Sequence, residues 1–178
     1  MGRWQGDLPA GPGGEVGARV ACVAATARTS AGLLVYRRTA GLEVLLGHMG
    51  GPFWARKDAG AWTIPKGEPS PGEDPYATAL REFAEEIGVP APSSSEPLPL
   101  GDVKQSGGKV VTAWALEGDL DVSAIASNLV EIAWPPRSGR TMLVPELDRA
   151  GWFAPDEARR LVVSAQAAFV DRLEELLA

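Results

Sequence analysis

The chain has 178 residues, 45% hydrophobic and 22% charged, with 17 basic against 23 acidic side chains and a net charge of −6. That size supports one domain with a real core, and the composition is that of a soluble globular protein. The negative balance argues against binding long DNA or RNA, which requires many neutralised phosphates, but a metal and a few local cations could still hold a small phosphorylated ligand.

One cysteine, Cys22, cannot close an internal disulfide, and no apolar run reaches the length of a membrane helix. The short apolar stretch 20–27 lacks a basic start and does not read as a signal peptide, so a cytoplasmic protein is expected. Residues 1–29, rich in Gly, Ala and Pro, read as a mobile arm carrying an isolated Trp4, and 30–178 as a single folded domain.

Residues 30–36 (SAGLLVY) and 42–48 (LEVLLGH) are two apolar runs separated by a turn at Gly41, a strand–turn–strand signal. His48, the only histidine, closes the second run. Alone it makes no metal site, and it reads either as a packed polar residue or as a substrate contact. The segment 50–61 (GGPFWARKDAGA) reads as a loop exposing Phe53 and Trp54, and it leads into Trp62-Thr63-Ile64-Pro65-Lys66-Gly67.

Residues 67–89 read as a glycine-rich loop running into a short helix. Asp74 suits the N-cap, Pro75 the first turn, Gly88 the stop, and Pro90 blocks resumption. Leu80, Phe83, Ala84 and Ile87 recur at the spacing of a buried stripe. Glu82, Glu85 and Glu86 share a face at i, i+3, i+4, where like charges cost about 0.2–0.5 kcal/mol per pair. A hard divalent cation reverses that sign. The face is therefore either solvated or a cation cradle.

Beyond the helix, 91–99 is a Ser/Pro linker within the domain. Residues 100–105 and 109–117 flank Ser106-Gly107-Gly108 as a hairpin, with Lys104 and Lys109 bracketing its turn. These lysines either reach polyphosphate or keep the hairpin soluble. The stretch 119–138 is less regular, and 131–140 reads as a loop anchored by Trp134. Its Arg137 and Arg140 are either phosphate forks or surface charges. Residues 145–153 read as a loop entering a short strand at 151–153. A single amphipathic helix is expected over 156–177, from Ala158, Leu161, Val162, Ala165, Phe169, Leu173 and Leu177.

The loop and helix together resemble the Nudix box, G-x5-E-x7-R-E-U-x-E-E-x-G-U with U apolar. Gly67, Glu73, Arg81, Glu82, Phe83, Glu85, Glu86, Gly88 and Val89 fill every fixed position. The resemblance implies an α/β/α sandwich with a mixed sheet and hydrolysis of a nucleoside diphosphate linked to another moiety. It further implies Mg²⁺, with Mn²⁺ as a substitute, on Glu82, Glu85, Glu86 and the Gly67 carbonyl. Glu73 would pair with Arg81, which would orient Glu82, and the base would be Glu82, Glu146 or Glu131.

Lys66 sits in W-x-x-P-K-G, which resembles the subset acting on nucleoside, dinucleoside or inositol polyphosphates. It could meet phosphate or simply face solvent. Trp54, Phe53, Trp62 or Trp134 could stack a base. The implied partner is a small phosphorylated nucleotide, with neither nucleic-acid polymer nor membrane, and homodimers are common in the family. A sugar nucleotide is an alternative substrate. A non-catalytic nucleotide-binding module is a further alternative, and the intact box argues against it.

Overall fold

The computed structural model describes residues 28–178 apart from Ser94 and Ala124, so most of the expected arm, with Trp4 and Cys22, lies outside the described residues. Among the described residues, nine strands and three α-helices follow in the order β1 (Thr29–Arg38), β2 (Leu42–Met49), β3 (Trp62–Thr63), β4 (Lys66–Gly67), α1 (Pro75–Ile87), β5 (Leu98–Lys104), β6 (Val110–Glu117), β7 (Leu129–Ala133), β8 (Thr141–Pro145), β9 (Leu147–Phe153), α2 (Pro155–Leu161) and α3 (Ala167–Leu177). Strands β3-β2-β1-β6-β5 form the main sheet, with β4 added on β1 and β9 on β2. The β1–β6 pair is parallel and the others antiparallel, so the sheet is mixed as expected.

Alternation along β1 builds two cores. Ala31, Leu33 and Val35 pack with Ala79, Phe83 and Ile87 of α1. Leu34 and Tyr36 point the other way and join Ala158, Phe169, Val170 and Leu173 of α2 and α3. A sheet apolar on both faces requires a helical layer on each, which gives the α/β/α sandwich. No helix among the described residues is long and apolar enough to cross a membrane.

The box helix forms with the caps read from the sequence. The Asp74 carboxylate accepts from the N–H groups of Tyr76 and Ala77 at 2.9 and 3.0 Å. Gly88 closes the helix at φ 87°, a conformation that costs glycine little.

Four expectations need correction. The single helix over 156–177 is two helices joined by a 3₁₀ turn at Ser164–Gln166. Val162 turns extended at φ −71°, ψ 153° and bridges Trp62, whose carbonyl accepts from the Val163 N–H at 2.8 Å. The break carries Gln166 inward to full burial. There its Oε1 accepts from the Ile64 N–H at 2.9 Å and its Nε2 donates to Thr63 Oγ1 at 3.0 Å. An unbroken helix would leave those sheet-edge groups unsatisfied.

The Trp134 loop is in fact the tip of a two-stranded hairpin, β7–β8, with Val130 opposite Val144 and Ile132 opposite Met142. The short strand at 151–153 is the end of the longer β9, which pairs along β2 from Met49 to Val44. In the loop after β2, Phe53 is exposed as expected, but Trp54 is half-buried.

Candidate active site

The entrance to the box is fixed by β4 pairing on β1, with Gly67 opposite Ala31 and Lys66 opposite Gly32. Gly32 is what lets this strand approach. A Cβ there would stand 2.8 Å from Ile64 Cδ1 and 3.0 Å from the Pro65 carbonyl oxygen. Gly67 in turn lies against α1, where a Cβ would overlap the carboxylate of Glu82.

The three helix glutamates differ in environment. Glu82 is 9% exposed and Glu86 1%, while Glu85 faces solvent. Arg81 organises the outer edge. Its Nε and Nη2 donate to the two oxygens of Glu73, both at 2.9 Å, and its Nη1 donates to Glu82 Oε1 at 2.7 Å. A longer bond of 3.3 Å runs from Nη1 to Glu85 Oε2. The Arg81 hydrogen bonds, helped by the Ser70 N–H, hold the Glu73 carboxyl down at about 2. The same bonds raise the Arg81 guanidinium above its usual range.

Burial dominates further in. It raises Glu82 despite the bonds from Arg81, and it pushes Glu86 up to about 8 although Lys66 opposes the shift. The Lys66 N–H donates to Glu86 Oε2 at 3.2 Å. Among the described residues no three His, Cys, Asp or Glu side chains stand together as a ready cation cage, and Glu82 and Glu85 engage Arg81 instead. The donors are nevertheless hard oxygens, and two buried carboxyls beside a carbonyl-bearing glycine strand are short of positive charge. That chemistry fits a hard divalent cation.

Over Glu86 opens a cavity of about 210 Å³, lined among others by Trp54, Lys66, Val130, Val144 and Glu146. After burial, charge repulsion from Glu146 also raises Glu82 and Glu86, and Glu146 and Glu86 line the same cavity. Glu131 points elsewhere, accepting from Thr141 Oγ1 at 2.7 Å on the exposed side of the hairpin.

The expected phosphate contacts divide. Lys66 lines the cavity, and burial, followed by repulsion from Lys66, lowers the Lys109 ammonium. Lys109 and Arg28 also pair with Glu68, at 3.6 and 2.7 Å. Lys104 is exposed at the end of β5, and Arg137 and Arg140 are exposed around the β7–β8 turn. None of these three lines the cavity.

Trp62 is buried, edge-on to His48 and Phe153, and so serves the core. His48 is fully buried, its Nδ1 2.7 Å from Asp148 Oδ1 and its Nε2 2.8 Å from the Lys57 carbonyl oxygen, a packed polar residue. A separate cavity of about 520 Å³ between Arg37, Asp119 and Trp152 contains no box residue.

Two parts of the site were not singled out in the sequence. One is the apolar wall of Val130, Ile132 and Val144. Its signal is the alternation V-x-I and M-L-V on either side of Pro-Pro-Arg-Ser-Gly, a hairpin pattern obscured by the length of its turn. The other is Asn128, whose Nδ2 donates to Glu146 Oε2 at 3.1 Å.

Solved structures with this fold include the Ap4A hydrolase of C. elegans in a binary complex, 23% identical with a TM-score of 0.57, covering 83% of this chain and 97% of that one. The NUDIX domain of Shewanella oneidensis NrtR, complexed with ADP ribose, is 17% identical with a TM-score of 0.57, covering 85% and 88%. The E. coli ORF135 protein is 16% identical with a TM-score of 0.52, covering 85% and 92%. At these identities the likeness is one of fold. The model of the NUDIX domain family matches residues 26–173 of this chain, from ahead of β1 into α3 and including the complete box. The chain therefore belongs to the NUDIX domain family.

Proposed function

We propose that this enzyme hydrolyses a phosphoanhydride bond of a nucleoside or dinucleoside polyphosphate, using Mg²⁺ or Mn²⁺, as a cytoplasmic enzyme. The observation that carries this reading is the pair of buried carboxyls, Glu82 and Glu86, against the Gly67 strand and beside Lys66. Glu82, Glu85, Glu86 and the Gly67 carbonyl would hold the metal. When bound, the metal supplies positive charge to the phosphate oxygens and favours deprotonation of water.

The remaining work falls to the chain itself. Arg81, braced by both oxygens of Glu73, holds Glu82 in place. Lys66 and Lys109 receive the phosphates that lie outside the metal's reach. Trp54 and the Val130–Val144 wall take the apolar face of a base or other planar group. Glu146 takes a proton from water as the water oxygen bonds to phosphorus and the bridging P–O bond breaks, leaving two phosphate products. Glu146 is favoured over Glu131 because it lines the cavity.

Two structural relatives support the substrate class, one an Ap4A hydrolase and one a domain holding ADP ribose. The second favours an alternative within the same chemistry, a nucleoside diphosphate joined to a sugar. A panel of dinucleoside polyphosphates, nucleoside triphosphates and sugar nucleotides, assayed with Mg²⁺ and with EDTA, tests the proposal. Turnover of a polyphosphate that EDTA abolishes is expected. Tight nucleotide binding without turnover on any member would replace it with a binding module.

A further inference from the structure

We infer that Asn128 is a positioning residue that sets the Glu146 carboxylate against the acidic helix, an inference that rests on the reading of Glu146 as base. Asn128 stands just ahead of β7 and makes bonds in three directions. Its N–H donates to the Glu85 carbonyl in the last turn of α1 at 3.1 Å. Its carbonyl accepts from the Glu146 N–H at 3.0 Å. Its Nδ2 donates to Glu146 Oε2 at 3.1 Å, while its Oδ1 lies 3.3 Å from Ser127 Oγ.

These bonds do different things. Carbonyls in the last turn of a helix have no partner within it, so the Glu85 carbonyl is a natural anchor, and Asn128 uses it to tie the loop to α1. The neighbouring Ser127 Oγ accepts from the Leu147 N–H at 3.0 Å, so the backbone is held on both sides of the Glu146 carbonyl. With the backbone fixed, the remaining freedom is that of the side chain. An ionised carboxylate only accepts, so the amide nitrogen is the part of Asn128 that can meet it. The bond engages Oε2 and leaves Oε1 to receive the proton of the attacking water. Aspartate at 128 would have the same shape, but it would remove the donor and add a fourth negative charge near Glu82, Glu86 and Glu146.

The chain thus carries Glu146 on the same support as the metal-binding face. The Glu85 carbonyl, one residue from Glu86, is bonded to the residue that holds Glu146. A positioned base is worth more than a free one, because misplacement of the reacting groups by about an ångström can cost of the order of a hundredfold in rate.

The test compares wild type, Asn128→Ser, Asn128→Asp, Glu146→Gln and the Asn128→Ser/Glu146→Gln double variant, with diadenosine tetraphosphate and Mg²⁺ as the probe. The expected result is that Asn128→Ser lowers kcat about 10- to 100-fold with KM little changed, and that Asn128→Asp lowers it further. In the Glu146→Gln background the same serine substitution should change kcat by less than about twofold, since the two residues act as a unit.

An independent readout needs no turnover. In the metal-free protein the Asn128 side-chain amide protons should exchange slowly with solvent by NMR and lose that protection in Glu146→Gln. Effects of Asn128→Ser that are equally large with and without Glu146, or that appear only in thermal stability or KM, would overturn the inference. Should Asn128→Ser fail to fold, Asn128→Asp and the amide exchange carry the decision. A wild-type rate for Glu146→Gln itself would overturn the base assignment first. A slow Glu146→Gln with a wild-type Asn128→Ser would overturn only the role of Asn128.

Discussion

Gly67 and Glu82 are in such close contact that a single carbon added to the glycine would occupy the glutamate's carboxylate. The overlapping atoms are the far end of a long side chain, so Gly67→Ala should leave the fold intact and push Glu82 away instead. Metal affinity should fall about 10- to 100-fold, with the melting temperature little changed. Titration calorimetry with Mn²⁺ on both proteins checks this, and unchanged affinity would contradict the contact's role.

Arg81 holds Glu73 with two nitrogens and Glu82 with a third. Lysine cannot form that fork, so Arg81→Lys should slow turnover about as much as Glu73→Gln, each roughly 10- to 100-fold. Steady-state kinetics on the two variants and their combination measures it, and the double variant should be little worse than either single one. The Glu73 carboxyl is depressed from 4.5 to about 2. Its contribution to stability is therefore present above about 4.5 and lost as pH falls toward about 2, a loss that Glu73→Gln should remove from acid-unfolding curves.

Glu86 carries the opposite sign. Burial raises it from 4.5 to about 8, so the folded protein keeps a proton that the unfolded chain releases. Metal-free protein should therefore lose stability as pH rises from about 4.5 to about 8, and Glu86→Gln should flatten that decline. Metal binding near neutral pH should release protons, read as a buffer-dependent heat in calorimetry. A Tm that is level across this window in the wild type would contradict the shift.

Gln166 supports the segment that leads into the box loop. Gln166→Leu leaves the Ile64 N–H unpaired in the interior and should destabilise the protein by about 1–3 kcal/mol, measured by denaturant unfolding. Gln166 does not itself line the cavity and meets it only through Thr63, so substrate KM should change little in the protein that remains folded.

The box was the most legible part of the chain, because its evidence is local. The cap at Asp74, the stop at Gly88 and the spacing of Glu82, Glu85 and Glu86 are set by helix geometry, and the helix formed where they place it. Their separate environments could not be read from spacing. Glu82 and Glu86 are buried because Gly67 and β1 cover them, and that cover depends on a strand pairing with β1, more than 30 positions earlier.

The hairpin over the site was hidden for a different reason. Its turn is rich in proline and glycine, and two short strands on either side of such a turn look like one long loop. The break at Val162 was hidden because two helices packed on one face give the same apolar periodicity as a single helix. Only the needs of Thr63 and Ile64, met by Gln166, decide between them.

In the proposed reaction, buried carboxylates on the box helix bind a divalent metal that drives phosphoanhydride cleavage. The most direct measurement is ³¹P NMR of diadenosine tetraphosphate cleavage with Mg²⁺, by wild type, Glu82→Gln and Glu86→Gln. Turnover by wild type that EDTA abolishes is expected, with a loss of about 10²-fold or more in each variant. Metal-dependent turnover that survives both substitutions would contradict it.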